Sequence, residues 1–375
     1  MLFALVAGLL LCEGLVALFH PQLFARPDVW QFDRQLGWSH LPGGGGRLVK
    51  PEFDVGYEIN AAGLREREIE RRKPAGTRRL LVFGDSFAEG WGVEVEHTIG
   101  RRLEDLLNAG TSPVRHEVLN FGVAGYGTDQ ELLLFDLLGR HYDPDALLVF
   151  FYVNDLINNQ SPRGIGAERG FKPQFTITPS GDLELRGVPV RESAFWQGSG
   201  RSTGPWPHRL RRYLVSSWHL AALVNKSLAP PLPQGQRQLY YEALYGTAPD
   251  SRTRRMWELS GRVLEEFAAR AAAAAVDLHL IYVPAIVQVE EANWRTKRKL
   301  HGLVGDFDLD KPNREIARLA EGYGLDLLDL TPAFRQSQVR LYYDESHWNP
   351  AGHQLAAELV AAHLKGDGGR DAAGL

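Results

Sequence analysis

The amino-acid sequence predicts an α/β protein: a doubly wound, five-stranded parallel sheet in a three-layer α/β/α sandwich, with an insertion after the third strand. Three observations lead there. Short apolar runs alternate with amphipathic helical patterns over 79–364, and such alternation marks parallel strands joined by helices that cover both faces. The alternation stops once, between 154 and 254. Polar residues and glycines recur where the strands end, the edge at which open α/β sheets bind ligands.

The elements follow in order. RLLVF (79–83) is short, apolar and closed by Gly84, so it reads as a buried strand. HTIGRRLEDLLNAG (97–110) is an amphipathic helix ending at Gly110, HEVLNFG (116–122) a strand, and TDQELLLFDLLGR (128–140) a helix. DALLVFFYV (145–153) is a long apolar strand. Beyond the insertion come a helix over 254–275, a strand over 276–284, a helix over 311–324 and a strand over 325–330. The closing helix spans 349–364, with Asn349 as N-cap and Pro350 at the first helical position. The tail at 365–375 reads as disordered.

The 375 residues are 44% hydrophobic, enough for a sizeable core. A formal net charge of −4 offers no electrostatic footprint for nucleic acid. The single cysteine, Cys12, allows no intrachain disulfide. No C-x-x-C pair and no H-E-x-x-H helix appear, so the usual zinc signatures are absent.

Residues 1–19 are apolar except for Glu13, close to the roughly 20 residues of a membrane-spanning helix. A cleaved signal peptide would want a basic start and a small-x-small cleavage site. No Lys or Arg precedes Arg26, and HPQLFARP is a poor site, so an uncleaved membrane anchor is expected in preference to a signal peptide or a buried core helix. Three leucines precede Cys12, which speaks against lipidation there. Arg26 and Arg34 follow the apolar run and lean toward a cytoplasmic body, but Asp28 and Asp33 lie among them and long domains translocate regardless of such counts. Residues 20–78 read as a linker and N-terminal extension. The Gly run in LPGGGGRLVKPEF (41–53) has no following G-K-[ST] and reads as a flexible loop rather than a phosphate cradle.

The insertion, 156–250, sits beside a strand end, where it could form a lid or substrate wall. Its Trp196, Trp206, Trp218, Tyr240 and Tyr241 could stack on a sugar or line an acyl groove, although such aromatics more often pack an insertion onto its domain. The basic run WRTKRK (294–299) could meet an anionic substrate or lipid headgroups; a solvated charged face is the commoner explanation.

Four signals fall at the ends of successive elements. Gly84-Asp85-Ser86 puts a hydroxyl at the first strand end. NFGVAGYG carries Gly122, Gly125 and Gly127, a loop in which a backbone N–H can approach a reacting centre closely. FYVNDL places the Asn154 amide at the third strand end. In YYDESHWNP, Asp344 and His347 are spaced so that a carboxylate can hold one imidazole nitrogen while the other faces outward. Each alone has a plain structural reading as turn, cap or surface loop. Their conjunction on one sheet edge favours a site.

These blocks resemble the SGNH (GDSL-type) hydrolase superfamily: Gly84-Asp85-Ser86, Gly125 within GVAGYG, Asn154-Asp155, and Asp344-x-x-His347, in the family's order over 84–347. Tyr152 stands where the third block usually has glycine. The apolar N-terminus is similar to membrane-anchored bacterial members, which implies a catalytic body in the periplasm or at the cell surface. The fold expected is the flavodoxin-like form of the doubly wound sheet. The resemblance implies a serine esterase working through an acyl-serine. Ser86 would be the nucleophile, His347 its base and Asp344 the group orienting the imidazole. The N–H groups of Ser86 and Gly125, with the Asn154 amide, would form the oxyanion hole. No metal or cofactor is required. The substrate would be a small-molecule, lipid or glycan ester, with the membrane as a further partner through the N-terminal helix and no nucleic acid. The alternatives are an O-acyltransferase acting on a carbohydrate or exported glycan, and a non-catalytic carbohydrate- or lipid-binding protein. The absence of G-x-S-x-G argues against an α/β-hydrolase.

Overall fold

The computed structural model describes every residue except 1, 20–25, 111–113, 165–169, 194–195, 197–209, 211–212, 215–217, 229–233, 249 and 372–375. In chain order its strands are β1 (Asp28–Asp33), β2 (Gly37–Lys50), β3 (Phe53–Glu58), β4 (Thr77–Gly84), β5 (Arg115–Asn120), β6 (Ala146–Tyr152), β7 (Gln174–Ile177), β8 (Leu183–Arg186), β9 (Asp277–Val283) and β10 (Asp326–Asp329). The central sheet runs β10-β9-β6-β4-β5 with every neighbouring pair parallel. Counted within that sheet the order is 2-1-3-4-5, the flavodoxin-like arrangement. The chain leaves β4 in one direction to reach β5 and returns on the other side to β6, so a crevice opens between the ends of β4 and β6.

Burial on both faces explains why the central strands read as unbroken apolar runs rather than alternating ones. Leu80 to Phe83 of β4 and Leu147 to Phe151 of β6 are each at most 1% exposed. Phe83 packs its ring against Phe121 beyond β5 (5.2 Å between centroids), Phe135 (6.2 Å) and Phe267 (5.7 Å). Phe135 belongs to a helix over Thr128–Leu137 and Phe267 to one over Ser251–Ala273. Truncating a phenylalanine in such a setting costs about 3–5 kcal/mol. The closing helix, Pro350–Asp371, packs against the helix over Ile99–Asn108. Its start is capped as expected: Asn349 Oδ1 accepts the N–H groups of Ala351 at 2.9 Å and Gly352 at 3.0 Å. Residues 365–371, expected to be a disordered tail, continue this helix.

Residues 28–58 are not a linker. β1, β2 and β3 form a three-stranded antiparallel sheet in that order. The glycine run lies inside β2, where it serves close backbone packing: a Cβ on Gly46 would stand 3.1 Å from Pro27, and one on Gly45 3.2 Å from the Tyr57 carbonyl. The pairing shifts register beside it, between Asp28 and Trp30. A second core forms around Val29, Leu48, Phe53, Val55, Tyr57 and Ile59, joined by Trp91 and Ala124 from the loops after β4 and β5. Buried Arg65 ties the same region together. Its guanidinium donates to the carbonyls of Glu89 (3.0 Å), Gly90 (2.6 Å), Val93 (2.6 Å) and Gly56 (3.1 Å), and lies 3.6 Å from the Tyr57 ring centre.

The apolar N-terminus forms a helix, Leu2–Phe19, of 18 residues. Among the described residues no helix is long and apolar enough to cross a membrane. The expected span is corrected accordingly. Glu13, the one charge in the run, has a local use: its carboxylate accepts the N–H groups of His219 and Leu220, each at 2.7 Å, and caps a helix over His219–Leu228 in the insertion. The rest of the insertion contributes a helix at Asp155–Gln160, the β7–β8 hairpin and a helix at Gln234–Tyr245.

Candidate active site

β4 ends at Gly84 because the chain there passes too close to its neighbours for a side chain. With φ at +154°, a Cβ would lie 2.7 Å from Ala88 Cβ and 3.0 Å from Phe150 Cβ. Asp85 then turns the chain. Its Oδ1 accepts the Phe87 N–H at 2.9 Å and starts a one-turn helix, Ser86–Glu89, that carries the Ser86 hydroxyl. Asp85 Oδ2 accepts Asn154 Nδ2 at 2.8 Å, linking the ends of β4 and β6 across the crevice. Burial pushes the Asp85 carboxyl above its ordinary pKa, and the bonds from Phe87 and Asn154 oppose that shift.

Ser86 Oγ lies 2.9 Å from His347 Nε2, although 261 residues separate the two in sequence. His347 Nδ1 meets Glu345 Oε1 at 2.9 Å. The imidazole packs against Phe87 and Trp91, with ring centres 5.2 and 5.8 Å away. Burial, with Lys50 adding to it against the pull of Asp85, pushes the His347 pKa down to about 4. The ring is therefore neutral at physiological pH, the state a proton acceptor needs.

The carboxylate facing His347 is not Asp344. Asp344 points into solvent, its side chain 76% exposed, and pairs with Arg340. The reason is the local turn. Tyr343 N–H bonds the His347 carbonyl at 2.8 Å, and Ser346 takes a left-handed φ of +90° inside that loop. This turns Glu345 inward and Asp344 outward. The N-terminal sheet holds the loop from the other side. At the β2–β3 turn, Lys50 Nζ contacts Glu345 Oε2, and the Glu52 carboxylate accepts the N–H groups of Asp344 (2.7 Å) and Glu345 (3.3 Å). Burial, with help from Arg26, lowers the Lys50 pKa to about 8. Glu345 is the immediate neighbour of Asp344, but the spacing to His347 points to Asp344 and does not single out Glu345. Nothing in the sequence signals Lys50, Glu52 or Arg65, which lie in the stretch that reads as a linker.

Gly125 lies in the loop after β5 with φ at +82°, a conformation a side chain disfavours. The loop is pinned on both sides. Ala124 N–H donates to Glu89 Oε2 at 2.9 Å, while Asn158 Nδ2 donates to the Tyr126 carbonyl at 3.1 Å. The other oxygen of buried Glu89 pairs with His40 at 2.6 Å. Tyr152, at the position where the third block usually has glycine, packs against Phe87 with ring centres 4.7 Å apart, and its N–H donates to Asp155 Oδ2 at 3.2 Å.

Ser86, Gly125, Asn154 and His347 line one cavity of about 540 Å³. Tyr240, Tyr241, Lys297 and His301 form part of its wall. Of the insertion's aromatics, the two tyrosines face the cavity, Trp196 packs on the domain core, Trp218 is half-buried, and Trp206 lies outside the described residues. The basic run is divided likewise: Lys297 reaches the cavity, while Arg295 pairs with Glu291 on the surface. Metal-ligand side chains gather elsewhere. His279 Nδ1 and His363 Nε2 lie 2.5 and 2.6 Å from Asp326 Oδ2, at the amino ends of β9 and β10, the edge opposite Ser86.

Residues 82–355 match the GDSL-like Lipase/Acylhydrolase family. The chain belongs to this family. That membership makes it a hydrolase of ester bonds, and the matched segment leaves the β1–β3 sheet outside it. Similar solved structures include an acetyl xylan esterase (13% identity, covering 76% of this chain and 99% of the other, TM-score 0.41). The psychrotrophic esterase EstA from Pseudoalteromonas sp. is also similar (12%, 77% and 97%, TM-score 0.38), as is the lipase/acylhydrolase from Enterococcus faecalis (12%, 77% and 96%, TM-score 0.38). No curated protein matches.

Proposed function

We propose that the chain cleaves a carboxylic ester through an acyl-serine, with Ser86 as nucleophile, His347 as general base and Glu345 orienting the imidazole. The carrying observation is the continuous contact from Ser86 Oγ to His347 Nε2 and from His347 Nδ1 to Glu345, each at 2.9 Å, at the floor of an open cavity. As Ser86 Oγ bonds to the carbonyl carbon, its proton passes to Nε2. The carbonyl π electrons move onto oxygen, and the imidazolium is stabilised by the Glu345 charge. Collapse of the intermediate expels the alcohol, which takes the proton back from Nε2. Water then repeats the sequence on the acyl-serine and releases the acid. The N–H groups of Ser86 and Gly125 and the Asn154 amide would receive the oxyanion. One N–H of that amide is held by Asp85, and an amide nitrogen carries a second.

Hydrolysis requires only water as second acceptor, and transfer to a carbohydrate hydroxyl would share every step up to the acyl-serine. Labelling by a fluorophosphonate, with the adduct mapped to Ser86, tests the nucleophile. Following a labelled acyl group into free acid or into an added glycan tests the acceptor. Absence of labelling on the folded chain would return the non-catalytic binding reading.

Membrane association through the Leu2–Phe19 helix, with the catalytic body outside the cytoplasm, is part of the same proposal. Its support is the exposure of apolar side chains on this helix, 85% for Phe3 and 75% for Phe19. Flotation with liposomes tests association, and protease access in intact spheroplasts tests the side.

A further inference from the structure

Resting on the esterase reading, we infer that the cavity over Ser86 takes an anionic carbohydrate ester, one whose alcohol portion bears a carboxylate. The charge along the cavity wall is one-sided. Arg26, Lys297 and His301 line it from two parts of the chain, Arg26 ahead of β1 and the other two from the helix at Glu291–Leu300 and the residue that follows it. The acid in the lining, Glu345, is already engaged by His347 and Lys50. Asp344, beside the lining, is turned out to Arg340.

Two of the basic groups are held in position by rings. The Arg26 guanidinium lies 5.3 Å from the Trp30 ring centre and 5.5 Å from that of Trp91, and it forms no ion pair among the described residues. His301 stacks on Tyr241 at 5.5 Å with the planes 24° apart. A guanidinium fixed over two indoles has given up much of its conformational freedom before a ligand arrives, and its planar fork matches a carboxylate. Tyr240 and Tyr241 add aromatic rings to the same wall, the kind of surface a sugar ring packs on. The volume, about 540 Å³, lies within the range of sites that hold a small ligand of this kind.

The test uses the full chain and two chemically acetylated oligosaccharides, an oligogalacturonide and a neutral xylo-oligosaccharide, with p-nitrophenyl acetate as reference. The expected result at low salt is a kcat/KM about tenfold higher for the anionic ester, falling toward parity at high salt as surface charges are screened. The double variant Arg26→Glu, Lys297→Glu should invert the ratio. A wild-type ratio at or below one, or a ratio unchanged in the double variant, overturns the inference while cleavage of p-nitrophenyl acetate leaves the esterase reading standing. If no ester is cleaved, calorimetry still decides. Ser86→Ala should bind the unacetylated oligogalacturonide more tightly than the neutral sugar, and equal or absent binding overturns the inference by itself.

Discussion

Glu345 Oε1 stands 2.9 Å from His347 Nδ1, while the other oxygen of Glu345 contacts Lys50. The acid proposed to orient the base is thus shared with a cation from the N-terminal sheet. Glu345→Gln keeps the shape but removes the charge that stabilises the imidazolium, so kcat should fall by roughly 10²–10⁴. Asp344→Asn, at an exposed residue paired with Arg340, should stay within about threefold of wild type. Steady-state hydrolysis of p-nitrophenyl acetate separates the two, and the reverse order of severity would reinstate Asp344.

On the proposed mechanism Ser86 and His347, in contact at 2.9 Å, act as one unit. Ser86→Ala and His347→Ala should each lower turnover by several powers of ten, and the double variant should add little to either. Multiplicative losses in the double variant would mean that the two residues work independently.

Asn154 bridges to Asp85 and faces the cavity. Asn154→Ala should reduce kcat by about 10²–10³, or roughly 3–4 kcal/mol of barrier, with circular dichroism unchanged. A full rate would assign the oxyanion to backbone donors alone.

The pH profile follows from the environment of His347. Its pKa is lowered from 6.5 to about 4, so the neutral base persists well into acid, and the acid limb of kcat/KM should lie below the ordinary histidine range. Lys50 contributes to that lowering. Lys50→Met removes a positive charge and should move the limb to higher pH. A limb at about 6.5 in the wild type, or a shift to lower pH in the variant, would contradict this account.

Arg65 is 1% exposed and its guanidinium donates to four backbone carbonyls. Arg65→Met leaves those carbonyls without their donor, and stability should fall by about 3 kcal/mol or more. Thermal unfolding measures the loss. Turnover at a temperature where the variant stays folded should fall too, because two of the carbonyls, those of Glu89 and Gly90, end the helix that carries Ser86.

The central sheet was legible because burial on both faces imposes apolar runs, and RLLVF and ALLVFF admit few other readings. Ser86, Gly125, Asn154 and His347 were legible because each sits in a short motif at a strand end. Glu345 was not, because the choice between adjacent acids turns on the left-handed Ser346 and on Lys50, neither of which is marked locally. The β1–β3 sheet was hidden by its own glycines. Four in a row resemble a flexible connector, yet here they let β2 pack closely against its neighbours. The apolar run at 1–19 is matched by the Leu2–Phe19 helix, but composition alone does not say whether such a helix crosses a membrane.

The loop bearing His347 is gripped by Glu52 across 292 residues of sequence, and this sets a timetable for a chain made from its N-terminus. The β1–β3 sheet, the serine and the oxyanion loop emerge early and can pair with one another. The imidazole follows the serine by 261 positions, onto a hairpin turn made long before it. Until that moment the nascent polypeptide carries the Ser86 hydroxyl without the base proposed for it. On the proposed mechanism, ester cleavage therefore waits on the docking of the His347 loop against the N-terminal sheet, and a chain cut ahead of that loop would hold the serine with no imidazole beside it.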